Sequence, residues 1–194
     1  MVGRPRGFDY EAVLDAAIEA FWLKGYEATS AQDLVERTGL GRGSLYGAFG
    51  SKHELYCKAL IKYQTLNLQE HAEMLGGEGG AKDRLKKLML WGINNDLGRH
   101  NDRNGCMVLE SWIERAAKDP EVEAIAQQYV KGLEAKLLSL FDEGIKSGEL
   151  SKVGSALQGA RVFMSGYFGL RLLGRSMRDR MFLEDIANGM IDLL

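Results

Sequence analysis

Apolar residues recur at spacings of three and four along almost the whole chain, and only 2 of its 194 residues are proline. That pairing constrains the fold more than any other feature. A repeat near 3.6 residues turns one side of a helix inward. Strands need alternation and runs of Val, Ile and Thr, and these are scarce here. The chain is therefore expected to be all-α. With 45% hydrophobic and 27% charged residues it has ample material for a core, and intrinsic disorder is excluded. No apolar run has spanning length and no secretory leader is visible. The two cysteines, Cys57 and Cys106, make no disulfide framework. A soluble, cytoplasmic protein without membrane contact is the expectation.

Cap and stop residues divide the chain. Asp9 opens a first helix as N-cap, Phe8 can staple onto Val13, and Gly25 stops the helix. Thr29 and Gln32 read as a capping box for a helix through Thr38 that Gly39 ends. A very short helix spans 44–49, with Leu45 and Phe49 four apart on one side. Ser51 and Glu54 form another capping box, opening a long helix over 51–75 that closes at the flexible Gly76–Gly80 stretch. Further helices are expected over 81–97 and 106–117, then from Asp119-Pro120 to Gly148, and over 153–173 and 178–194. The organisation expected is a small helical domain over 1–50, a connecting helix over 51–75 and a second helical domain over 76–194.

Two helices joined by a tight Gly-containing turn form a helix-turn-helix, whose second helix lies in the major groove. If Leu45 and Phe49 point inward, Arg42, Gly43, Ser44, Tyr46 and Gly47 face out. Arg42 can reach guanine O6 and N7 or a phosphate. Ser44 and Tyr46 suit phosphate oxygens, and the glycines permit close backbone approach. Lys52 and His53 stand at a helix start, where free N–H groups and the dipole favour phosphate. Thr29 and Ser30 mark a second such start. Arg4 and Arg6 can follow the backbone or enter the minor groove. Net charge is only −2, so positive charge must be local. Between Gly39 and Lys62 stand Arg42, Lys52, Lys58 and Lys62 against Glu54. The plain alternative is a helical bundle in which the short pair is a connector.

The residues Phe21-x3-Gly25-Tyr26-x2-Thr29-Ser30, followed by Thr38-Gly39-Leu40-Gly41-x-Gly43-Ser44-Leu45-Tyr46-x2-Phe49-x2-Lys52-x2-Leu55, resemble the amino-terminal domain of TetR/AcrR-type transcriptional regulators. The Gly3-Arg4-Pro5-Arg6 lead-in is similar too, and the likeness runs without a gap over about 3–60. It implies that the helix carrying Tyr46 is the recognition helix and that Lys52 contacts phosphate. It also implies that the carboxy-terminal helices supply a ligand pocket and a dimer interface.

In that second half, Phe163, Met164, Tyr167, Phe168, Leu170, Leu172 and Leu173 make one helix apolar over most of its circumference. With Gly159, Ala160, Gly166 and Gly169 allowing close approach, the last two helices are expected to form a two-fold four-helix interface between copies of the chain. Candidate pocket residues are Trp91, Met107, Trp112, Tyr129, Met164, Tyr167 and Phe168, with Glu110, His100 or Arg161 as polar anchors. The same residues are also what a plain core uses. Cys106, after Gly105 at a helix start, is a candidate redox or electrophile sensor, since a helix N-terminus favours the thiolate. The alternative is a small buried hydrophobe. His53, His71 and His100 are scattered without metal-ligand spacing, and no nucleophile has an obvious base. No enzyme activity, metal or cofactor is expected. The expected function is a homodimeric repressor released from a palindromic double-stranded DNA operator by a small molecule. Sensing through Cys106 and transcriptional activation stand as alternatives.

Overall fold

The computed structural model describes residues 8–98, 105–151 and 154–194, and all its regular elements are helical. They are α1 (Tyr10–Ala28), α2 (Ala31–Thr38), α3 (Arg42–Phe49), α4 (Lys52–Leu75), α5 (Ala81–Gly98), α6 (Met107–Ser111, continued by a π turn over Trp112–Ala116), α7 (Pro120–Ser147), α8 (Ala156–Ser176) and α9 (Arg180–Asp192). None of these helices is long and apolar enough to cross a membrane. Arg4, Arg6 and His100 lie outside the described residues.

Most starts follow the caps read from the sequence. Asp9 accepts from the Glu11 and Ala12 amides, Ser51 from Glu54, and Asp119 from Val122 ahead of Pro120. Three details differ. At α2 the capping box is made by Ser30 and Asp33 rather than Thr29 and Gln32. Thr29 is fully buried, and its hydroxyl donates to the carbonyls of Ala20 and Gly25. Helix α3 begins at Arg42, two residues earlier than expected, because Gly41 serves as its N-cap. Helices α8 and α9 begin later, at the Ser155–Gln158 capping box and the Asp179 cap.

Gly25 interrupts α1 without ending it. Its φ of 78° and ψ of 175° lie in a region open essentially to glycine alone. The break frees the amides of Tyr26 and Glu27, and the Glu114 carboxylate on the π turn accepts from both at 2.9 Å. A Cβ on residue 25 would stand 3.0 Å from that carboxylate.

Two apolar cores lie along α4. Phe21, Leu34, Leu45, Phe49, Leu55 and Leu60 belong to the first, which extends through Cys106, Met107 and Val122 to Tyr129. Leu88, Ile93, Leu137, Phe163, Tyr167 and Leu183 belong to the second. Leu68 and Phe168 pack against both, so helices α1–α3 do not have a core to themselves.

Gly25→Ala forces an unfavourable backbone and crowds Glu114. It is expected to cost about 1–3 kcal/mol, read as a lowered urea midpoint at unchanged slope.

Candidate functional site

The face that α3 offers to solvent is small and specific. Leu45 and Phe49 are buried, Phe49 stacks on Tyr10 with centroids 4.5 Å apart, and the Phe49 carbonyl accepts from Lys58 Nζ at 2.9 Å. This anchoring leaves Arg42, Gly43, Ser44 and Gly47 exposed and Tyr46 half-buried beside them. Nothing lies within 4 Å of where a Cβ on Gly43 or Gly47 would project, so a duplex backbone can come close. Lys52 stands over the Tyr26 ring at 4.4 Å from its centroid.

Two of the four basic side chains counted along 39–62 are spent inside the protein. Lys58 holds the end of α3 as described, and Lys62 pairs with Glu11 and Asp15, each at 2.7 Å. Thr29 is unavailable to a phosphate because it is buried. Ser30 Oγ donates to Asp33, whose carboxylate already sits at the α2 N-terminus and is paired with Lys24 at 2.5 Å.

His53 turns away from the α3 face. Its Nε2 lies 2.8 Å from Asp119 at the start of α7, and its Nδ1 lies 3.8 Å from Glu121. Arg115 also reaches Asp119, pairs with Glu27, and lies over the Tyr26 ring. The group joins the end of α1 and the start of α4 to the start of α7. Cys57, one turn beyond His53, is 3.9 Å from Nδ1. Burial and the carboxylates of Glu121 and Asp119 push its thiol up to about 12. His53 and Cys57 are four apart on α4, a ligand spacing that is missed when histidines alone are counted.

The second core encloses a polar centre. Arg171 and Asp96, their side chains 2% and 1% exposed, pair through two hydrogen bonds of 2.8 Å. Arg171 also donates to the Tyr167 hydroxyl at 3.1 Å, and that hydroxyl lies 3.3 Å from His71 Nε2. Trp91 packs edge-on to His71, and Tyr129 stacks on Phe168. The His71 Nδ1, the Tyr129 hydroxyl and the Gln64 Oε1 are buried without a hydrogen-bond partner. Of the pocket residues expected, Trp91, Tyr129, Tyr167 and Phe168 meet here, and Met164 belongs to the same core. Met107 is buried in the first core, while Trp112 is half-exposed on the π turn. Arg161 is a surface residue paired with Glu134, not an inward anchor. Glu110 is partly buried and pairs with Arg175 at 2.9 Å; burial lifts its carboxyl to about 7. Cys106 is 3% exposed, so its thiol is covered. Beside the polar centre, a crevice of about 590 Å³ opens between α1, α4 and α5. Trp22, Tyr63, Asn67, Trp91 and Asn95 are among its walls.

The sequence profile of the tetR family of bacterial regulatory proteins matches residues 13–57. Over the full length of both chains, the protein is 31% identical to YezE of Bacillus subtilis (strain 168), an uncharacterized HTH-type transcriptional regulator. The chain belongs to the TetR family. It is also 49% identical over 109 residues to the HTH-type transcriptional repressor ComR of Escherichia coli (strain K12), spanning 56% of this chain and 52% of ComR. A cysteine mutant of the TetR-family regulator CifR, complexed with 26-bp double-strand operator DNA, superposes with a TM-score of 0.81 at 25% identity, covering 98% of each chain. This TetR-family protein is a DNA-binding transcriptional regulator and not an enzyme.

Sequence reasoning missed the centre of the regulator's second core. His71, Asp96 and Arg171 sit on helix faces that also carry apolar residues, and a polar residue at an inward position was the available signal. Arg171→Met leaves the Asp96 charge buried and unpaired, at an expected cost of about 3–5 kcal/mol. Replacing both residues (Arg171→Met with Asp96→Leu) is expected to recover most of it in the same urea titration.

His71 also sets a pH dependence. Burial first, then Arg171 and Lys136, depress its pKa to about 3. The unfolded chain takes up that proton near pH 6.5, so stability is full above 6.5 and falls as pH drops towards 3. The slope is about 1.4 kcal/mol per pH unit at most. Glu110 acts oppositely, because its raised pKa favours the folded state below about 7. The difference between wild type and His71→Asn, in denaturant titrations from pH 7 to 5, isolates the histidine. It is expected to shrink as pH falls.

Proposed function

We propose that this regulator is a homodimeric, cytoplasmic repressor that leaves a palindromic operator when a small molecule binds between its recognition segment and its second core. The observation that carries the DNA reading is the division of α3. Leu45 and Phe49 are locked inside while Arg42, Gly43, Ser44 and Gly47 remain free on one face. In this reading residues 1–50 bind DNA, 51–75 connect, and 76–194 bind ligand and dimerise. Arg42 reaches a guanine edge or a phosphate, Ser44 and Tyr46 hold phosphates, and Lys52 adds charge at the α4 start. Ser30 stays at the margin, and Arg4 and Arg6 extend the contact into the minor groove.

The dimer reading rests on α8 and α9. Val162 and Met181 are more than 70% exposed, and Leu172, Leu173 and Phe182 are also exposed. An apolar face of this kind calls for a partner. Two-fold pairing through these helices puts the recognition helices in successive major grooves when they stand ~34–36 Å apart. The crevice between α1, α4 and α5 has a volume suited to a small organic ligand. An occupant there presses on α1 and α4 together and alters that separation. It lowers operator affinity only by its preference for the non-binding arrangement, typically ~1–3 kcal/mol.

The test is a fluorescence-anisotropy titration against the DNA flanking the regulator's own gene, beside a scrambled duplex, at two salt concentrations. Selective binding with a steep salt slope is expected. Arg42→Ala is expected to weaken it by about 1–3 kcal/mol, and a wild-type affinity left intact by both Arg42→Ala and Tyr46→Ala would overturn the recognition-helix assignment.

A further inference from the structure

The joint between α4 and α7 holds three different donor types at close quarters. One nitrogen of His53, the Cys57 sulfur and a Glu121 carboxylate oxygen lie within 4.8 Å of one another. Cys57 Sγ lies over the imidazole, 3.9 Å from Nδ1 and 3.7 Å from Nε2, and Nδ1 is 3.8 Å from Glu121 Oε2. Tetrahedral zinc bonds of about 2.0–2.3 Å place such ligand atoms roughly 3.4–3.6 Å apart, so closing the site around an ion takes an approach of a few tenths of an ångström on those two sides and a turn of the Cys57 side chain that carries its sulfur from over the ring towards the Nδ1 lone pair. The other imidazole nitrogen is already committed: Nε2 lies 2.8 Å from Asp119, which Arg115 holds at 3.0 Å. A carboxylate on the distal nitrogen is the arrangement that orients a metal-binding histidine.

We propose that His53 Nδ1, Cys57 Sγ and Glu121 bind a divalent cation of the zinc class, with water in the fourth position and Asp119 orienting the histidine. On binding, the Cys57 thiol proton leaves to solvent, and sulfur, imidazole nitrogen and carboxylate oxygen each donate a lone pair to the ion. Thiolate and carboxylate cancel its two positive charges, while Asp119 is matched by Arg115. The buried thiol lies on the inner side, and His53 and Glu121 are the more accessible ligands through which an ion arrives. Only two residues, Gly50 and Ser51, separate α3 from α4, so the ion ties the segment just behind the recognition helix to the start of α7. The site stands whether or not the ligand-release reading holds.

Cobalt(II) added to the full-length, reduced protein is the probe, because a thiolate ligand gives a charge-transfer band and tetrahedral coordination gives visible d–d bands. One equivalent is expected to produce both, release about one proton, and be displaced by zinc. Cys57→Ser is expected to abolish the charge-transfer band, and Cys106→Ser to leave it unchanged. Glu121→Gln, an exposed substitution that spares the fold, is expected to lower zinc affinity at least tenfold in competition with a chromophoric chelator. Asp119→Asn keeps the helix cap and is expected to lower it 10- to 100-fold. Absence of the band in wild type, its survival in Cys57→Ser, or zinc affinity unchanged in Glu121→Gln would each overturn the assignment.

Discussion

The second half of the molecule depends on one buried ion pair. A guanidinium removed from water is tolerable only when its donors are matched, and Arg171 meets that demand with both Asp96 oxygens and the Tyr167 hydroxyl. The requirement sets the register of α8 against α5. It also explains two small residues: a Cβ on Gly92 would stand 2.7 Å from Arg171 Cδ, and one on Gly174 would stand 3.0 Å from Asp96. Larger side chains there separate the helices and break the pair. Burial first, and then that positive charge, keep His71 neutral, and its Nδ1 is buried and unpartnered next to Trp91 and Tyr129. If the proposed ligand reaches this core, it must answer polar atoms as well as fill space.

A second set of constraints joins the recognition segment to the rest. Gly25 opens α1, Glu114 caps the exposed amides, and Trp22 donates to the Gly105 carbonyl at 2.6 Å. Arg115 lies over Tyr26 and pairs with Glu27 and Asp119. The first apolar core crosses the same boundary, running from Phe49 to Tyr129. Movement of α6 or the start of α7 therefore bears on the end of α1 and on the start of α4, the helix that packs on α3 and holds its end through Lys58. The coupling is carried by carboxylates bound to backbone amides and by ring contacts.

What could be read in the sequence follows what is local. Helix type came from apolar period, and most boundaries came from short-range chemistry: Asp9, Ser51, Asp119-Pro120 and Gly148 each act within four residues of themselves. The α2 cap was placed one residue early because Thr29-x2-Gln32 and Ser30-x2-Asp33 are both plausible boxes. Only the carbonyls of Ala20 and Gly25, brought near by the break in α1, decide that Thr29 is the buried one. The same limit applies to His53. A histidine in the first turn of a helix suits a phosphate, but its partner, Asp119, lies 66 residues away. The exposed face of α3 was legible, since Leu45 and Phe49 determine it from within the helix.

Charge shows where local reading fails most instructively. Four cations along 39–62 imply a strongly positive surface, yet Lys62 is neutralised by α1 and Lys58 serves the carboxyl end of α3. Within that stretch, Arg42 and Lys52 are left to meet a polyanion. Nonspecific attraction scales with the number of phosphates neutralised, so this stretch of one copy adds little of it. In the proposed reading, discrimination comes from base edges read by Arg42, from close approach at Gly43 and Gly47, and from two copies held at fixed spacing. On that reading, binding is sensitive to small changes in the angle of α3, because among the described residues of 39–62 only Arg42 and Lys52 offer charge that could compensate when the geometry is lost.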